Sequence, residues 1–545
     1  MSRSHLLLLL LPSLLRLQCA HAVPLRVASI FGPGMVLQRG SPATFWGWAS
    51  PGTPITALLS NADTNASLRH ETRVADASGQ WSVTFPAQNA SGFSWRFFVA
   101  TNDNDFLRCS AYQYYCSGAS LSLSGLAFGD VVECLGQSNM QVTVGFAFNA
   151  TEELAFAENF GPLLRYFQVE ASVTSKGAPL DDFAVAPSIP WSAPPASLAY
   201  FSAACYFTAK AVLLARPEES REVPLGLVAA PWGGTTIKAH APPAVNGTCG
   251  ALYPGGTFGC GMDHAPCNAS EIYNALLYPI SGPSAAFPVS AFVWFQGEND
   301  NSNDTQALAW YSCNLAGLAA ALRADHASPL AHWTTVQLAP YDGGTPLPYF
   351  RRNQCAATEA SIAASHCAIL QDDGDVLSPI GSVHSRNKQL AGQRIALGLL
   401  EGLYSKAHPT HGRGPVFLNH TFAPAPGAPG TLTATVSFAA AGLGGRGLTY
   451  RPPAATPWSN STRCPSELGP IKQGDCGWPG IVGSDGVLYN ASASIAGNGV
   501  DLLLTATGVP QGVEARGTAY GWGAWPVLNF YNEFEMPVEA WHVAA

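Results

Sequence analysis

The sequence carries little charge and has no cluster of positive charge. Lys, Arg, Asp and Glu together make up 12% of its 545 residues, against the ~25% that is usual in soluble proteins. The formal net charge is −9, and no basic run stands out. Because nucleic-acid binding needs clustered lysine and arginine, we do not expect nucleic acid as a partner.

Metal-binding motifs and long apolar runs are also missing. The sequence contains no H-E-x-x-H, no C-x-x-C and no group of carboxylates with the spacing of metal ligands. We therefore predict neither a metal nor a cofactor. Beyond the first residues, no apolar segment approaches the ~18–20 residues that a membrane-spanning helix needs, so we predict no membrane span.

The first 22 residues have the pattern of a signal peptide. A basic start at Arg3 precedes the apolar run Leu6–Leu11, and residues 20–22 (Ala-His-Ala) form a small-residue cleavage site. A membrane anchor is the weaker interpretation, because Pro12 and Arg16 interrupt the apolar stretch. We expect residues 1–22 to direct the protein into the secretory pathway.

Cysteines and glycosylation motifs agree with that compartment. Of 13 cysteines, Cys19 lies in the predicted signal and leaves 12, an even number suited to disulfides. Local pairs are possible for Cys109/Cys116, Cys464/Cys476 and within Cys249, Cys260 and Cys267, but the spacing does not fix the connectivity. Nine N-x-S/T motifs predict N-linked glycans; they lie at Asn65, Asn89, Asn149, Asn246, Asn268, Asn303, Asn419, Asn460 and Asn490. We expect a glycoprotein that is secreted or lysosomal.

Three regions follow the signal peptide. Residues 23–122 alternate short apolar runs such as Ala43–Trp48 with turn residues, which predicts an N-terminal β-sandwich-like domain. Residues 123–412 alternate buried strands with helices, which predicts an α/β domain with a mostly parallel sheet. Residues 413–545 lack helical patterns and predict a second β domain.

The α/β assignment depends on six segments. The predicted strands are Val131–Leu135, Leu225–Ala230 and Val289–Phe295, and the predicted helices are 151–158, Gln306–His326 and Asn387–Tyr404. Each of the three strands is followed by residues that suit a reaction site. Because ligands of open parallel sheets bind at the carboxyl ends of the strands, we expect these three following segments to converge.

The converging residues suit acyl transfer. Ser138 follows the first strand and is the predicted nucleophile, which needs a neighbouring base. His384, just before the last helix, is the predicted base. The negative oxygen of a tetrahedral intermediate needs preorganised donors, for which we predict the N–H groups of Ser138 and Gly234, and the side-chain amide of Gln296 or Asn299.

The motifs resemble those of the SGNH hydrolases, and within them the sialate O-acetylesterases and related carbohydrate esterases. The segments that carry the resemblance are 129–140 (GDVVECLGQSNM), 232–235 (WGGT), 294–298 (WFQGE), 381–389 (GSVHSRNKQ) and 31–38 (FGPGMVLQ). The resemblance implies a flavodoxin-like three-layer domain flanked by the two β domains. It also implies a serine esterase that removes O-acetyl groups from sugars, with 9-O-acetylated sialic acid as the expected substrate.

Two departures from the family pattern leave questions open. The aspartate that usually stands three residues before the histidine is replaced by Gly381. Asp375 is our first prediction for the third catalytic residue and Asp372 the second, while a backbone carbonyl such as that of Ser382 would leave a Ser–His dyad. His240 stands where the family commonly has Trp, which leaves the sugar preference open.

Other polar residues near these motifs have two interpretations each. Glu298 suits either a substrate contact or a buried carboxylate, and Arg386 either a carboxylate clamp or a solvated side chain. His240 and Asp263-His264 are expected to lie at the surface or against sugar. The alternative functions are an acetylxylan-type polysaccharide esterase and a catalytically inactive carbohydrate-binding glycoprotein.

Overall fold

The computed structural model describes residues 23–101, 119–254, 265–282, 287–424, 428–453, 462–466 and 471–544, with backbone alone at 69–72 and 424. Eight strands open the fold: β1 Arg26–Val27, β2 Val36–Gln38, β3 Ala43–Trp48, β4 Pro54–Asn61, β5 Ser67–Val74, β6 Gln80–Phe85, β7 Ser91–Ala100 and β8 Ser120–Gly136. β1, β3 and β6 form one small sheet, and β4 pairs with β5 and β7 in another. The rings of Phe45 and Phe97 stack 3.9 Å apart between the two sheets.

Strand β8 connects this unit to the rest of the molecule. Its first half pairs antiparallel with β7, and its second half pairs in parallel with strands of the central region. The domain boundary predicted at 122/123 therefore falls inside one continuous strand. Strands β2, β4, β5 and β7 share the sheet of the central region, whereas β1, β3 and β6 form a sheet of their own.

The central region is built on a parallel sheet. Its further strands are β9 Leu164–Gln168, β10 Ile189–Ser192, β11 Leu225–Pro231, β12 Ala291–Phe295, β13 His332–Val336 and β14 Ser365–Ala368. They run in the order β10-β9-β11-β8-β12-β13-β14, and only the edge pair β10–β9 is antiparallel. The predicted α/β class with a mostly parallel sheet is confirmed.

Helices cover the central sheet. They are α1 Ser138–Gln141, α2 Ala150–Ala157, α3 Ala203–Ala215, α4 Ile237–His240, α5 Pro243–Cys249, α6 Tyr278–Ser281, α7 Thr305–Asp325, α8 Leu347–Ser361 and α9 Lys388–Tyr404, with a π-helical turn at Tyr273–Leu277. One face of β8, carrying Leu135, packs in the same core as α7. The other face, carrying Val132, packs with α3 and α9. The sheet is thus buried on both sides, as its continuous apolar strands require.

The described residues after 412 are mainly β, with a short α-helix, α10 Ala440–Leu443, and a 3₁₀ turn at Gln473–Asp475. Its strands are β15 Phe417–Pro424, β16 Thr431–Phe438, β17 Thr449–Tyr450, β18 Cys476–Gly477, β19 Gly480–Gly483, β20 Leu488–Ile495, β21 Leu502–Thr507, β22 Ala515–Tyr520, β23 Trp525–Pro526, β24 Phe530–Tyr531 and β25 Trp541–Val543. Seven of them form one sheet in the order β15-β16-β21-β20-β19-β22-β25. The β character that the sequence predicts for this region is therefore present.

Four disulfides lie within the described residues: Cys134–Cys205, Cys249–Cys313, Cys355–Cys367 and Cys464–Cys476. The predicted local pair Cys464/Cys476 is confirmed. Cys249 does not pair within its local cluster, because α5 lies beside α7 and brings it to Cys313. Cys109 and Cys116 fall outside the described residues.

In the part of the chain that the structure describes, no helix is long and apolar enough to cross a membrane.

Candidate active site

Three parallel strands end side by side at the centre of the sheet. Gly136 at the end of β8 is in register with Pro231 of β11 on one side and with Phe295 of β12 on the other. The chain goes from β8 first to β9 and β11 on one side and then crosses to β12 on the other. This reversal is the position where open α/β sheets bind their ligands, and Ser138, Gly234 and Asn299 each follow a strand that ends there.

Two glycines permit this close approach. Gly136 has φ 134°, and a Cβ there would lie 2.1 Å from the carbonyl oxygen of Phe295. At Gly233, a Cβ would lie 2.9 Å from Oε1 of Gln141 and 3.2 Å from Cβ of Ser138. Glycine is therefore needed at both positions for the strand ends to meet around the serine.

Ser138 and His384 lie on segments that are tied to each other. Ser138 is the first residue of α1 and is half-buried, and His384 is half-buried in the loop before α9. Their neighbours in sequence are joined directly, since Nδ2 of Asn139 donates to the carbonyl of Val383 at 2.9 Å. Neither Ser138 Oγ nor His384 Nε2 has a hydrogen-bond partner among the described residues, and catalytic hydrogen bonds are often long without substrate.

A backbone carbonyl holds the histidine. Nδ1 of His384 donates to the carbonyl oxygen of Ile380 at 2.6 Å, so the proton sits on Nδ1 and the lone pair on Nε2. Burial lowers the pKa of His384 below its usual 6.5, and the charge of Lys388 lowers it further, against the opposing effect of the Ile380 carbonyl. The imidazole is thus kept in the neutral, basic form.

The two predicted carboxylates have other partners. Asp375 binds Arg386 through both oxygens, with Nε at 2.6 Å and Nη2 at 3.0 Å, and Asp372 forms a buried ion pair with Arg394. The structure therefore corrects the prediction for Asp375, because the arginine occupies its carboxylate and Ile380 occupies Nδ1 of His384. The backbone-carbonyl alternative fits the geometry, with Ile380 in place of Ser382.

Two backbone N–H groups are available to an oxyanion. The N–H groups of Ser138 and Gly234 have no acceptor among the described residues, whereas the N–H of Gly233 donates to Oε1 of Gln141 at 2.9 Å. Of the two N–H groups in the glycine motif, that of Gly233 is engaged and that of Gly234 is available.

The two predicted side-chain donors differ in their surroundings. Nε2 of Gln296 is fully buried and faces three acceptors, on Gln137, Thr235 and Asp300, so both its hydrogens are engaged. Asn299 accepts from Nε2 of Gln137 at 3.1 Å through Oδ1, which leaves its Nδ2 without a partner among the described residues. Asn299 is therefore the side chain that the geometry offers as an oxyanion donor, and Gln296 is part of the buried network.

Of the two carboxylates beside this network, Asp300 is buried and Glu298 is half-buried. Burial raises the pKa of Glu298, whose Oε1 accepts from Nδ2 of Asn139 at 2.5 Å. Burial also raises the pKa of Asp300 to about 7. Glu298 thus fits the interpretation as a carboxylate that joins loops.

Two predictions for sugar contacts are corrected. His240 is fully buried, its Nε2 lies 2.9 Å from Oγ1 of Thr235, and burial lowers its pKa to about 3. Arg386 is partly exposed, but it is not free to clamp a substrate carboxylate because it is paired with Asp375. Asp263 and His264 lie outside the described residues, in which no group of His, Cys, Asp and Glu could hold a metal ion.

The sequence gives no role to three polar residues of the site. Gln137 orients Asn299, Gln141 binds the N–H of Gly233, and Lys388 donates to Oδ1 of Asn139 at 2.6 Å. Gln137 and Lys388 belong to the serine and histidine motifs and Gln141 directly follows the serine motif, but neither spacing nor residue type reveals their partners.

Comparisons with known proteins show which proteins this chain resembles. Residues 129–395 match the family described as carbohydrate esterase, sialic acid-specific acetylesterase. The sialate O-acetylesterase of Homo sapiens is 26% identical over 412 residues, 72% of this chain and 73% of that protein, and that of Rattus norvegicus is 26% identical over 75% and 79%. The crystal structure of a carbohydrate acetylesterase from Xanthomonas citri superposes with a TM-score of 0.70 and 25% identity, over 96% of this chain and all of that one.

Proposed function

Because residues 129–395 form a domain of the sialic acid-specific acetylesterase family and the chain is a carboxylic ester hydrolase, we propose that it removes O-acetyl groups from sugar hydroxyls through an acetyl-serine intermediate. The substrate proposed is 9-O-acetylated sialic acid. Two observations support the proposal: the three strand ends in register at Gly136, which precede Ser138, Gly234 and Asn299, and the hydrogen bond from Asn139 to Val383, which ties the serine turn to the histidine loop.

In the first half of the reaction, Oγ of Ser138 bonds to the ester carbonyl carbon and its proton passes to Nε2 of His384. The carbonyl π electrons move to the oxygen, which becomes an oxyanion. The N–H groups of Ser138 and Gly234 and Nδ2 of Asn299 donate to it, and one such donor is typically worth on the order of 10²–10³ in rate. Because Nδ1 donates to Ile380, the lone pair of Nε2 is free to accept the serine proton.

When the intermediate collapses, the bond between the carbonyl carbon and the sugar oxygen breaks. The imidazolium of His384 returns its proton to that oxygen, and the sugar alcohol leaves. Water then attacks the acetyl-serine with His384 again as base, and the second collapse releases acetate and restores Ser138. The Ile380 carbonyl fixes the tautomer throughout, as a carboxylate does in a triad, but with only a partial negative charge.

The nucleophile is tested with Ser138→Ala. Hydrolysis of an aryl acetate should fall by at least 10⁴-fold, on the order of the loss when a triad member is removed, and a fluorophosphonate should label Ser138 alone in the unmodified protein. Unchanged turnover in the variant, with the probe on another residue, would overturn the assignment. A folded unmodified protein without activity would instead favour a carbohydrate-binding glycoprotein.

The substrate is tested by acetate release. We expect faster release from 9-O-acetylated sialic acid than from acetylated xylan at equal ester concentration, measured as kcat/KM. The reverse order would keep the esterase chemistry and replace the proposed sugar.

Four disulfides fit an oxidising compartment, so we also propose that the protein is secreted or lysosomal and carries N-linked glycans at its exposed motifs.

A further inference from the structure

One buried amide joins three segments of the candidate site. The side chain of Asn139 is 1% exposed and belongs to the serine turn. Its Nδ2 donates to Glu298 in the turn after β12 and to the carbonyl of Val383 in the histidine loop, and its Oδ1 accepts from Nζ of Lys388 at 2.6 Å. A shift of Asn139 would therefore move the serine turn relative to the histidine loop.

Lys388 is an unusual residue at this position. It is 1% exposed, although lysine is rarely fully buried, and it begins α9, where the helix dipole disfavours a positive charge. Burial lowers its pKa to about 8. Taking an ammonium group out of water costs several kcal/mol before compensation, and its retention here therefore needs a reason other than stability.

The surroundings of Lys388 compensate this cost in part. Nζ lies 5.2 Å from the centre of the Phe295 ring. The charges of Asp373 and Glu298 favour the protonated form, and that of Asp375 does so more weakly. Asp375 already pairs with Arg386. Among the described residues no carboxylate lies within ion-pair distance of Lys388, and its hydrogen bond goes to the side-chain amide beside the nucleophile.

We infer that Lys388 is a positioning residue for the esterase reaction, which holds Asn139 so that the serine turn and the histidine loop stay in catalytic register. The inference depends on the proposed function. In addition, the ammonium charge on α9 disfavours the imidazolium form of His384. The other charged groups on adjacent segments are Asp373, which accepts from Ser385 Oγ, Glu298, Asp342, which accepts from Ser382 Oγ, and the Asp375–Arg386 pair.

The test compares two substitutions of Lys388. Lys388→Met removes the charge and the hydrogen bond, whereas Lys388→Gln removes the charge and keeps a donor for Asn139. The control is Lys472→Met, which changes an exposed lysine of the C-terminal region. For each folded variant, kcat, KM and the pH dependence of kcat/KM are measured with an aryl acetate, and folding is followed by circular dichroism.

For Lys388→Met we expect kcat to fall by about 10- to 100-fold with little change in KM, since misplacement of reacting groups by about 1 Å costs on the order of 10² in rate. The acidic limb should move to higher pH because a charge that lowers the pKa of His384 is lost. Lys388→Gln should recover part of kcat and keep the shifted limb, and the control should change neither.

Three results would overturn the inference. One is a folded Lys388→Met variant whose kcat, and whose acidic limb in the pH profile of kcat/KM, are the same as those of the unmodified enzyme. Another is a loss of kcat in both variants with no shift of the limb, which would indicate a packing role alone. The third is failure of both variants to fold, which would assign Lys388 to core stability. An unmodified enzyme without ester hydrolysis would refute the proposed function itself.

Discussion

Replacement of Asp375 separates a catalytic dyad from a triad. If Asp375 held the imidazole, Asp375→Asn would cost on the order of 10⁴ in kcat, as for the aspartate of serine proteases. In this structure the carboxylate binds Arg386, and Ile380 accepts the Nδ1 proton of His384. We therefore expect kcat/KM of Asp375→Asn to stay within about tenfold of the unmodified enzyme, a difference of about 1.4 kcal/mol.

Asp375→Asn should instead lower the stability of the folded protein. Asp375 is fully buried and the Arg386 side chain is 24% exposed, so the arginine can reach water after the substitution. Two charge-assisted hydrogen bonds are worth about 1.5–3 kcal/mol each, and asparagine can replace one of them as a neutral acceptor. The free energy of unfolding should therefore fall by about 2 kcal/mol.

The kinetic constants and the free energy of unfolding are measured on the same preparation of folded protein. The first come from aryl acetate hydrolysis over a range of substrate concentrations and the second from urea unfolding. Asp372→Asn serves as the matched control, because Asp372 is the second predicted carboxylate and is also paired with an arginine. A loss of 10³ or more in kcat for folded Asp375→Asn, with Asp372→Asn active, would refute the assignment of Ile380 and restore the triad.

Four further outcomes are expected. Asn299→Ala should lower kcat by about 10²–10³ because the side-chain oxyanion donor is lost, and an unchanged kcat would remove it from the site. The acidic limb of kcat/KM should have its midpoint below 6.5, since burial lowers the pKa of His384 and activity is lost only as pH falls through that lowered value; a midpoint above 6.5 would contradict this. Replacing both Cys134 and Cys205 by Ala should cost about 4 kcal/mol of unfolding free energy, given a sequence separation of 71, as measured in urea. Glycopeptide mass spectrometry should find Asn246 unmodified, because its Nδ2 hydrogen-bonds to three oxygens.

The elements predicted well are those with a simple pattern. β11 was predicted at Leu225–Ala230 and extends to Pro231, because a short apolar run bounded by proline and turn residues has few alternatives. The helix at Lys388–Tyr404 begins one residue from its predicted start. α3, Ala203–Ala215, was not predicted, because it is buried on most sides and its almost continuous apolar sequence lacks helical periodicity.

At the site, the residues on strand ends were predictable and their partners were not. Ser138, Gly234 and Asn299 follow from strand order and residue chemistry. The acceptor for His384 is the backbone of Ile380, and a carbonyl group is present in every residue and leaves no signal in the sequence. The sequence also suggested a surface position for His240, but a polar side chain can be buried when Thr235 gives it a hydrogen bond.

Because this chain contains few charged residues, the charged groups at its candidate site call for a functional explanation. With only 12% charged residues, an ammonium and two carboxylates still lie at the site, on Lys388, Asp373 and Glu298. Burial raises the pKa of Asp373 to about 7 and lowers that of Lys388 to about 8, so each group would be more stable neutral or in water. Apolar replacements of similar size are often neutral or stabilising in such positions. Lys388 is therefore best explained by what it does to the adjacent Asn139 and His384, which is to fix one amide and to disfavour the imidazolium form, while Glu298 accepts a hydrogen bond from the same amide.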